Sequence, residues 1–504
     1  MESPQNVERA LELYQSGQLD DAIQCLRNLT EKEPANALAW DYLGFFLRAN
    51  GDLSAALDAG GKATSIQPPS PQAWNNLGNT YAALENDNDA MKSYQRALEL
   101  ASTYADAWAN KGLTEKRVGK TNDAIASFVR AASLLGDNPA AQNTIGNQLF
   151  ELNAYTDAAS CYVQAVNQDP LFANAFNNLG NTRLKLLELE PAISAYRSAL
   201  AIEPDHHDAL NGYAQTLLLS GDYDGGWRAY EARRNIEGQK IATPSWTGTG
   251  LTGKTLWLYS EQGAGDTIQF LRFVAHLKNT AHKVILSCPA SLVTLAAQVD
   301  GVDEAVSLGV LPDADLSAPL MSLPFLLGLT EISDVAISTP YLTSPTPSEP
   351  KTANNAVGLV WAGNTDHIND INRSLDLADL APLTSQTAFD FYSLQLGPAK
   401  NQLAQLDPKD RITDLTDAIS SYADTANVID GLDLIITVDT SVAHLAGAMG
   451  KPCWVLLPYV PDWRWQLSRD GTVWYPSVRL FRQPVRGDWR SVVQSVIEAL
   501  NTYK

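Results

Sequence analysis

The chain has 504 residues, and at about 150 residues per domain that length points to several folding units rather than one undivided core. Hydrophobic residues at 45% with charged residues at 18% exclude disordered, collagen-like and disulfide-scaffold compositions. Lys+Arg 36 against Asp+Glu 57 leaves a formal net charge of −21, which repels phosphate backbones and anionic membranes, so nucleic acid is not an expected partner. Cys25, Cys161, Cys288 and Cys453 form no CxxC pair and read as reduced, structural thiols of a cytoplasmic protein. The opening MESPQNVERALELYQ has neither a basic nor an apolar targeting segment. The most apolar stretch, Leu316 to Leu329, is broken by Pro319 and Pro324, so no membrane span is expected.

From the start of the chain a 34-residue period is visible, the spacing of a helix-turn-helix unit that stacks into a superhelix. A large apolar residue recurs at Trp40, Trp74, Trp108, Phe176 and Leu210, with Gln142 the one departure from this pattern. A small residue follows four positions later, at Gly44, Gly78, Gly112, Gly146, Gly180 and Ala214. A second small position recurs at Ala22, Ala56, Ala90, Ala124, Ala158, Ala192 and Gly226. Pro34, Pro68, Pro170 and Pro204 close units at one phase, where the missing N–H ends one helix, and Ser102 and Gly136 stand at two equivalent sites. Small residues let paired helices approach while Leu77, Tyr81 and Tyr94 fill the seam.

This pattern resembles the tetratricopeptide repeat. Residues 3 to about 235 then make six full units flanked by partial ones, with Gly221 to Arg233 as cap or connector. The resemblance implies a concave face, lined by the first helix of each unit, that takes a protein or peptide. Those helices carry Asn75 with Asn79, Asn143 with Asn147 and Asn177 with Asn181, plus Asn76, Asn110 and Asn178 at one phase. Residues at i and i+4 share a helix face, and a carboxamide both donates and accepts, so such rows suit a peptide main chain whatever its side chains. Asparagine that only caps helices or faces water is the plainer reading. The rows are similar to those in the peptide-binding superhelix of protein O-GlcNAc transferases.

After Arg233 the period stops, and EGQKIATPSWTGTGLTG (237–253) marks a boundary. Beyond it short apolar runs alternate with helical patterns, at 255–259, at 284–287 and again from Val357, a parallel-sheet signature that occurs twice. The Pro-rich SPTPSEPKTANN separates the two. The expected organisation is an α superhelix of repeats over 1–236, then an α/β domain of two Rossmann-like halves over 237–345 and 346–504.

The first half opens with a strand, then Glu261 to Thr267 (EQGAGDT), then a helix. Gly263 and Gly265 permit a sharp turn and a close approach to a ligand, and Asp266 stands at the mouth of the sheet, as catalytic carboxylate or as simple helix cap. The second half has a strand at 434–438 followed by Asp439, Thr440 and Ser441 and a helix carrying His444. Hydroxyls and first-turn N–H groups there make an anion site, although Asp439 as a cap and His444 as a packed core residue are also open. Between them, in VGLVWAGNTDHINDINRSLDL, Asn364 is a candidate nucleotide-sugar contact, His367 is a contact to donor or acceptor or simply a solvated loop residue, and Arg373 is suited to pair with a diphosphate.

EQGAGDTIQF, LVWAGN, NDINRS, DTSVAHLAGAMGKP, LLPYVPDWRW and WYPSVRLFRQ together resemble the ADP-heptose:lipopolysaccharide heptosyltransferase superfamily, in the bacterial form that joins such a domain to tetratricopeptide repeats. The resemblance implies a GT-B fold and metal-independent, inverting glycosyl transfer. It implies Asp266 as catalytic base, Thr440, Ser441 and His444 around the diphosphate and sugar, and Arg373 as a donor-phosphate contact; Gly263, Gly265, Asn364, His367 and Asp439 complete the expected nucleotide-sugar site. No metal or other cofactor is expected. Ile368 stands where many relatives carry a basic residue, and Trp463, Arg464 and Trp465 shape a pocket or the core. The expected function is transfer of a hexosyl, heptosyl or related sugar to Ser/Thr of a protein, with flagellin or another surface protein as the acceptor suggested. The alternatives are an enzyme of lipopolysaccharide or polysaccharide assembly and an inactive repeat scaffold.

Overall fold

A computed structural model of the chain describes residues 3–235, 242–336, 339–346, 355–367, 369–405 and 412–503. The 236/237 boundary, Ile368 and most of the Pro-rich segment lie outside the described residues.

The periodic part forms helices in seven successive pairs: α1 (Ser3–Gln15) with α2 (Leu19–Lys32), α3 (Ala37–Ala49) with α4 (Leu53–Ser65), α5 (Pro71–Ala83) with α6 (Asp87–Leu100), α7 (Ala105–Arg117) with α8 (Thr121–Ala132), α9 (Pro139–Glu151) with α10 (Tyr155–Gln168), α11 (Ala173–Lys185) with α12 (Leu189–Ile202), and α13 (His207–Ser220) with α14 (Tyr223–Tyr230). Side chains start several of them: Asn36, Ser70 and Asn138 accept the backbone N–H of Ala39, Ala73 and Ala141 at 3.1, 3.3 and 3.0 Å. Pro71 and Pro139 occupy the first turn, where no intrahelical N–H bond is lost.

The recurring glycines have a steric cause. A Cβ at Gly78, Gly112, Gly146 or Gly180 would meet the ring of Tyr94, Phe128, Tyr162 or Tyr196 at 2.5–2.9 Å, so each aromatic of a second helix lies on the bare backbone of the first. Those four rings are fully buried, and truncating such a side chain typically costs about 3–5 kcal/mol.

Two compact units result, 1–204 and 205–504. The seventh helix pair belongs to the second unit, although its sequence reads as repeat. Aromatic packing accounts for this: Trp227 stands edge-on to Phe270 at 5.9 Å and to Trp463 at 5.5 Å, and Tyr223 to Trp474 at 6.1 Å. Arg233 is buried and pairs with Glu231 and Glu261, each at 3.0 Å, while also donating to Ser322 Oγ at 2.8 Å.

The second unit holds two all-parallel sheets. The first contains β1 (Thr255–Tyr259), β2 (Lys283–Cys288), β3 (Glu304–Ser307) and β4 (Leu316–Pro319) in the order β3-β2-β1-β4. The second contains β5 (Ala356–Val360), β6 (Asp390–Ser393), β7 (Ile412–Asp414), β8 (Leu434–Val438), β9 (Cys453–Leu457) and β10 (Val478–Arg482) in the order β10-β9-β8-β5-β6-β7. Strands β5, β8 and β9 are buried along their whole length, which is why they read as continuous apolar runs rather than alternating ones. In both sheets the direction of winding reverses beside the first strand, between β1 and β4 and between β5 and β8. Open α/β sheets bind ligands beyond the carboxyl ends of strands at such a reversal.

Candidate functional site

The loops that follow β1, β5, β6 and β8 line one cleft of about 880 Å³. After β1 comes α15 (Ala264–Phe270), and after β8 comes α17 (Ser441–Ala448), preceded by α16 (Tyr422–Asp430). Gly263, Gly265, Asp266, Asn364, His367, Arg373, Asp439, Thr440, Ser441 and His444 all line this cleft, so residues that are far apart in the chain meet.

The turn into α15 differs in detail from the sequence expectation. Gln262, with φ 55°, takes the left-handed conformation, while Gly263 is extended at φ −83°. Gly265 is needed for closeness instead: a Cβ there would lie 3.1 Å from the His444 ring and 3.4 Å from Ser441 Cα, so the starts of α15 and α17 could not approach as they do. Asp266 accepts the Gly263 N–H at 2.9 Å through one carboxylate oxygen and pairs with Arg464 through the other. An ionised carboxylate offers about four acceptor positions, so lone pairs remain on both oxygens.

In the sequence Arg464 is only part of an aromatic segment, yet in the fold it organises this side of the cleft. It is buried, lies over the Trp463 ring at 4.2 Å, and also binds Asp462 at 2.8 Å and Gln269 Oε1 at 2.5 Å. Trp463 and Trp465 turn into the core on either side of it. A charged residue between two tryptophans was the available signal, since an arginine in such surroundings needs carboxylate partners.

Arg373 donates to the Asp439 carbonyl at 3.0 Å and to Asp370 at 3.2 Å, tying the loop after β5 to the loop after β8. Thr440 caps α17 by accepting the Val442 N–H at 3.3 Å, and Ser441 Oγ accepts the Tyr422 hydroxyl at 2.8 Å. Gln395 receives the N–H groups of Trp361 and Ala362, both at 2.9 Å, and so fixes the start of the loop that carries Asn364 and His367. Neither Tyr422 nor Gln395 was marked by any motif.

The electrostatics separate the titratable groups. Burial, reinforced by the neighbouring Asp462 carboxylate, pushes the Asp439 carboxyl up to about 6. Burial followed by the charges of Arg464 and Arg272 drives His444 well below the ordinary histidine value. His444 is therefore a neutral ring at pH 7, stacked on Trp465 at 5.2 Å with Nδ1 3.0 Å from the Tyr475 hydroxyl. His367 is also lowered, first by burial and then by Arg373.

The asparagine rows of the repeats are partly engaged within the array itself. Asn75 and Asn177 are buried, facing helix rather than an open surface. Asn110 donates to Asn75 at 3.0 Å and Asn178 to Asn143 at 2.9 Å, so carboxamides bond from one repeat to the next. Tyr94, Tyr162 and Tyr196 donate their hydroxyls to Asn79, Asn147 and Asn181 at 2.8, 2.7 and 2.7 Å. Carboxamides in a packed seam are mostly bonded by their neighbours, although the buried Asn177 Oδ1 has no hydrogen-bond partner. The half-buried Asn79, Asn147 and Asn181 still carry N–H groups that the phenols do not use.

Among the described residues no helix is long and apolar enough to cross a membrane. Tetratricopeptide repeat models match residues 7–71, 71–104 and 177–235, and a TPR repeat model matches 146–186. The chain is similar to Protein FlbA of Caulobacter vibrioides, 22% identical over 334 residues, covering 57% of this chain and 54% of that protein. It thus spans about half the length of that relative. Among solved structures, the C-terminal part of a TPR repeat-containing protein from Cytophaga hutchinsonii is 14% identical with a TM-score of 0.39, covering 46% of this chain and 96% of that one. YrrB, a TPR protein with an unusual peptide-binding site, is 24% identical with a TM-score of 0.31, covering 37% of this chain and 96% of its own. The helices of residues 7–104 and 146–235 are tetratricopeptide repeats, and parallel α/β sheets follow them.

Proposed function

We propose that the protein is an inverting glycosyltransferase of GT-B type that moves a sugar from a nucleotide donor to a Ser or Thr hydroxyl of a polypeptide recruited by the repeats. The observation that carries this reading is the single cleft onto which the carboxyl ends of two parallel sheets open, with a carboxylate on one wall and a helix start and an arginine on the other. In the proposed reaction Asp266 accepts the proton of the acceptor hydroxyl while its oxygen bonds to the anomeric carbon. The bond from that carbon to the diphosphate oxygen breaks, and the electron pair leaves with the nucleotide. Charge growing on the diphosphate is met by the first turn of α17, by the Thr440 and Ser441 hydroxyls and by Arg373, a contribution of about 3–4 kcal/mol per well-placed donor. Neutral His444 packs beneath this turn and shapes it. The N–H groups of Asn79, Asn147 and Asn181 are the proposed contacts to the acceptor main chain.

A binding-only protein is the second reading, favoured by the fact that both Asp266 oxygens already receive donors. Thermal shift across nucleoside diphosphates and nucleotide sugars separates the two when joined to a transfer assay. A nucleotide at 100 times its dissociation constant stabilises by about 2.7 kcal/mol. Stabilisation together with labelling of a polypeptide supports the transferase, label confined to lipid or glycan moves the acceptor to envelope polysaccharide, and stabilisation by no nucleotide removes the proposal.

A further inference from the structure

The repeat in which Gln142 breaks the large-apolar pattern contains a second cavity, of about 410 Å³, within the size range of about 300–1,000 Å³ that small-ligand pockets occupy. It lies among the end of α8, the turn into α9, and α10, far in sequence from the cleft described above. Its origin can be followed residue by residue. In two of the three repeats that carry the indole, Trp40 and Trp108 each donate their ring N–H at 3.0 Å to the carbonyl six residues back, of Pro34 and Ser102, whereas the Trp74 N–H has no such partner. At the equivalent place stands Gln142, smaller than an indole. The carbonyl six residues before it, of Gly136, is bonded instead by the Gln168 carboxamide N–H at 2.9 Å, while Gln142 turns its own N–H to Ala132 O at 2.9 Å.

Both glutamines therefore spend a donor on the backbone. Both leave a buried carboxamide oxygen with no hydrogen-bond partner, and both line the cavity. Gln142 is only 4% exposed, so its unpaired oxygen is not reached by bulk water and carries a real desolvation cost. Asp137 and Asp157 also line the cavity, and no basic side chain does. Val129 and Ala132 supply apolar wall.

Acceptors spread around a slot with a short apolar wall suit a flat cation with several N–H groups and bare faces, which describes a guanidinium better than the compact ammonium of lysine. We infer that this cavity is a docking site for an arginine side chain of a partner polypeptide, whose N–H groups satisfy Gln142 and Gln168 and whose charge meets Asp137 and Asp157. Gln142 is then a binding position rather than a packing defect.

The test uses the full chain and the blocked peptide acetyl-Gly-Arg-Gly-amide, followed by isothermal titration, with its citrulline counterpart and agmatine as controls. Saturable binding of the arginine peptide is expected, weaker by on the order of tenfold or more with citrulline, since hydrogen bonds to charged groups are the stronger ones. Q142W fills the slot with the indole that Trp108 supplies in the preceding repeat, and should abolish binding while leaving the thermal midpoint equal or higher. D157N, a smaller change, should weaken binding on the order of tenfold with the circular dichroism spectrum unaltered. No binding at millimolar peptide, equal binding of citrulline, tighter binding of agmatine than of the peptide, or binding that survives both Q142W and D157N would overturn the assignment.

Discussion

The repeat unit and the α/β unit handle polar side chains in opposite ways. In the repeats, carboxamides and phenols satisfy one another across seams, as Tyr94 does with Asn79 and Asn110 with Asn75, so polarity there specifies register. In the α/β unit, side chains from four separate loops are fixed by neighbours and still face a common space. Gln395 pins one loop, Arg373 ties it to the next, and Arg464 braces Asp266. A periodic unit spreads its stability over many equal contacts. A convergent site concentrates its function in a few unequal ones, and single substitutions should separate the two.

The largest effect is expected at Asp266. Asp266→Asn should lower transfer about 10²–10⁴-fold, the usual worth of a positioned acid or base, while calorimetry finds nucleotide affinity nearly unchanged. Transfer within a few-fold of wild type would put Asp266 with the repeat asparagines, as a structural residue.

Next comes the pH response of Asp439. Its folded value lies near 6, above the ordinary value of 3.8, so between about pH 4 and 6 the folded chain holds a proton that the unfolded chain has released. Stability therefore falls as pH rises through that window, by at most about 3 kcal/mol. Asp439→Asn should flatten the fall in urea titrations at pH 4, 5 and 6, and an unchanged slope would show the carboxylate to be well solvated.

Gly78→Ala should cost about 1–3 kcal/mol, because the new methyl meets the Tyr94 ring at 2.5 Å in a packed seam. Helix propensity alone would make the same change stabilising, so the sign of the shift in urea midpoint decides between packing and propensity. Tyr94→Phe is the mildest, about 0.5–1.5 kcal/mol, for one hydrogen bond to Asn79. A larger loss would mean that the ladder of polar contacts acts cooperatively.

The repeat array was legible because each unit restates the same constraints: one aromatic on one glycine, one alanine with no room for more. The strands were legible as apolar runs, and the segments after β1 and β8 as candidate site loops, since a strand followed by glycine or hydroxyl residues and a helix is a local pattern. Pairing across distance was not legible. Asp266 and Arg464 are 198 residues apart, and nothing near either one names the other. The bond from Asn110 to Asn75 was not legible for a related reason, because a sequence reveals a helix face but not what the neighbouring helix places on it. The seventh helix pair carries the repeat pattern, yet tryptophan packing made it part of the second unit.

That last feature sets where the chain can be divided. A fragment beginning at 237 would strip Arg233 from Glu261 and so break a buried ion pair, which typically costs about 3–5 kcal/mol. A fragment beginning at 205 keeps the pair and its aromatic cover. The second compact unit thus includes two helices whose sequence matches the repeats, and trimming it at the end of the periodic sequence would remove its own foundation.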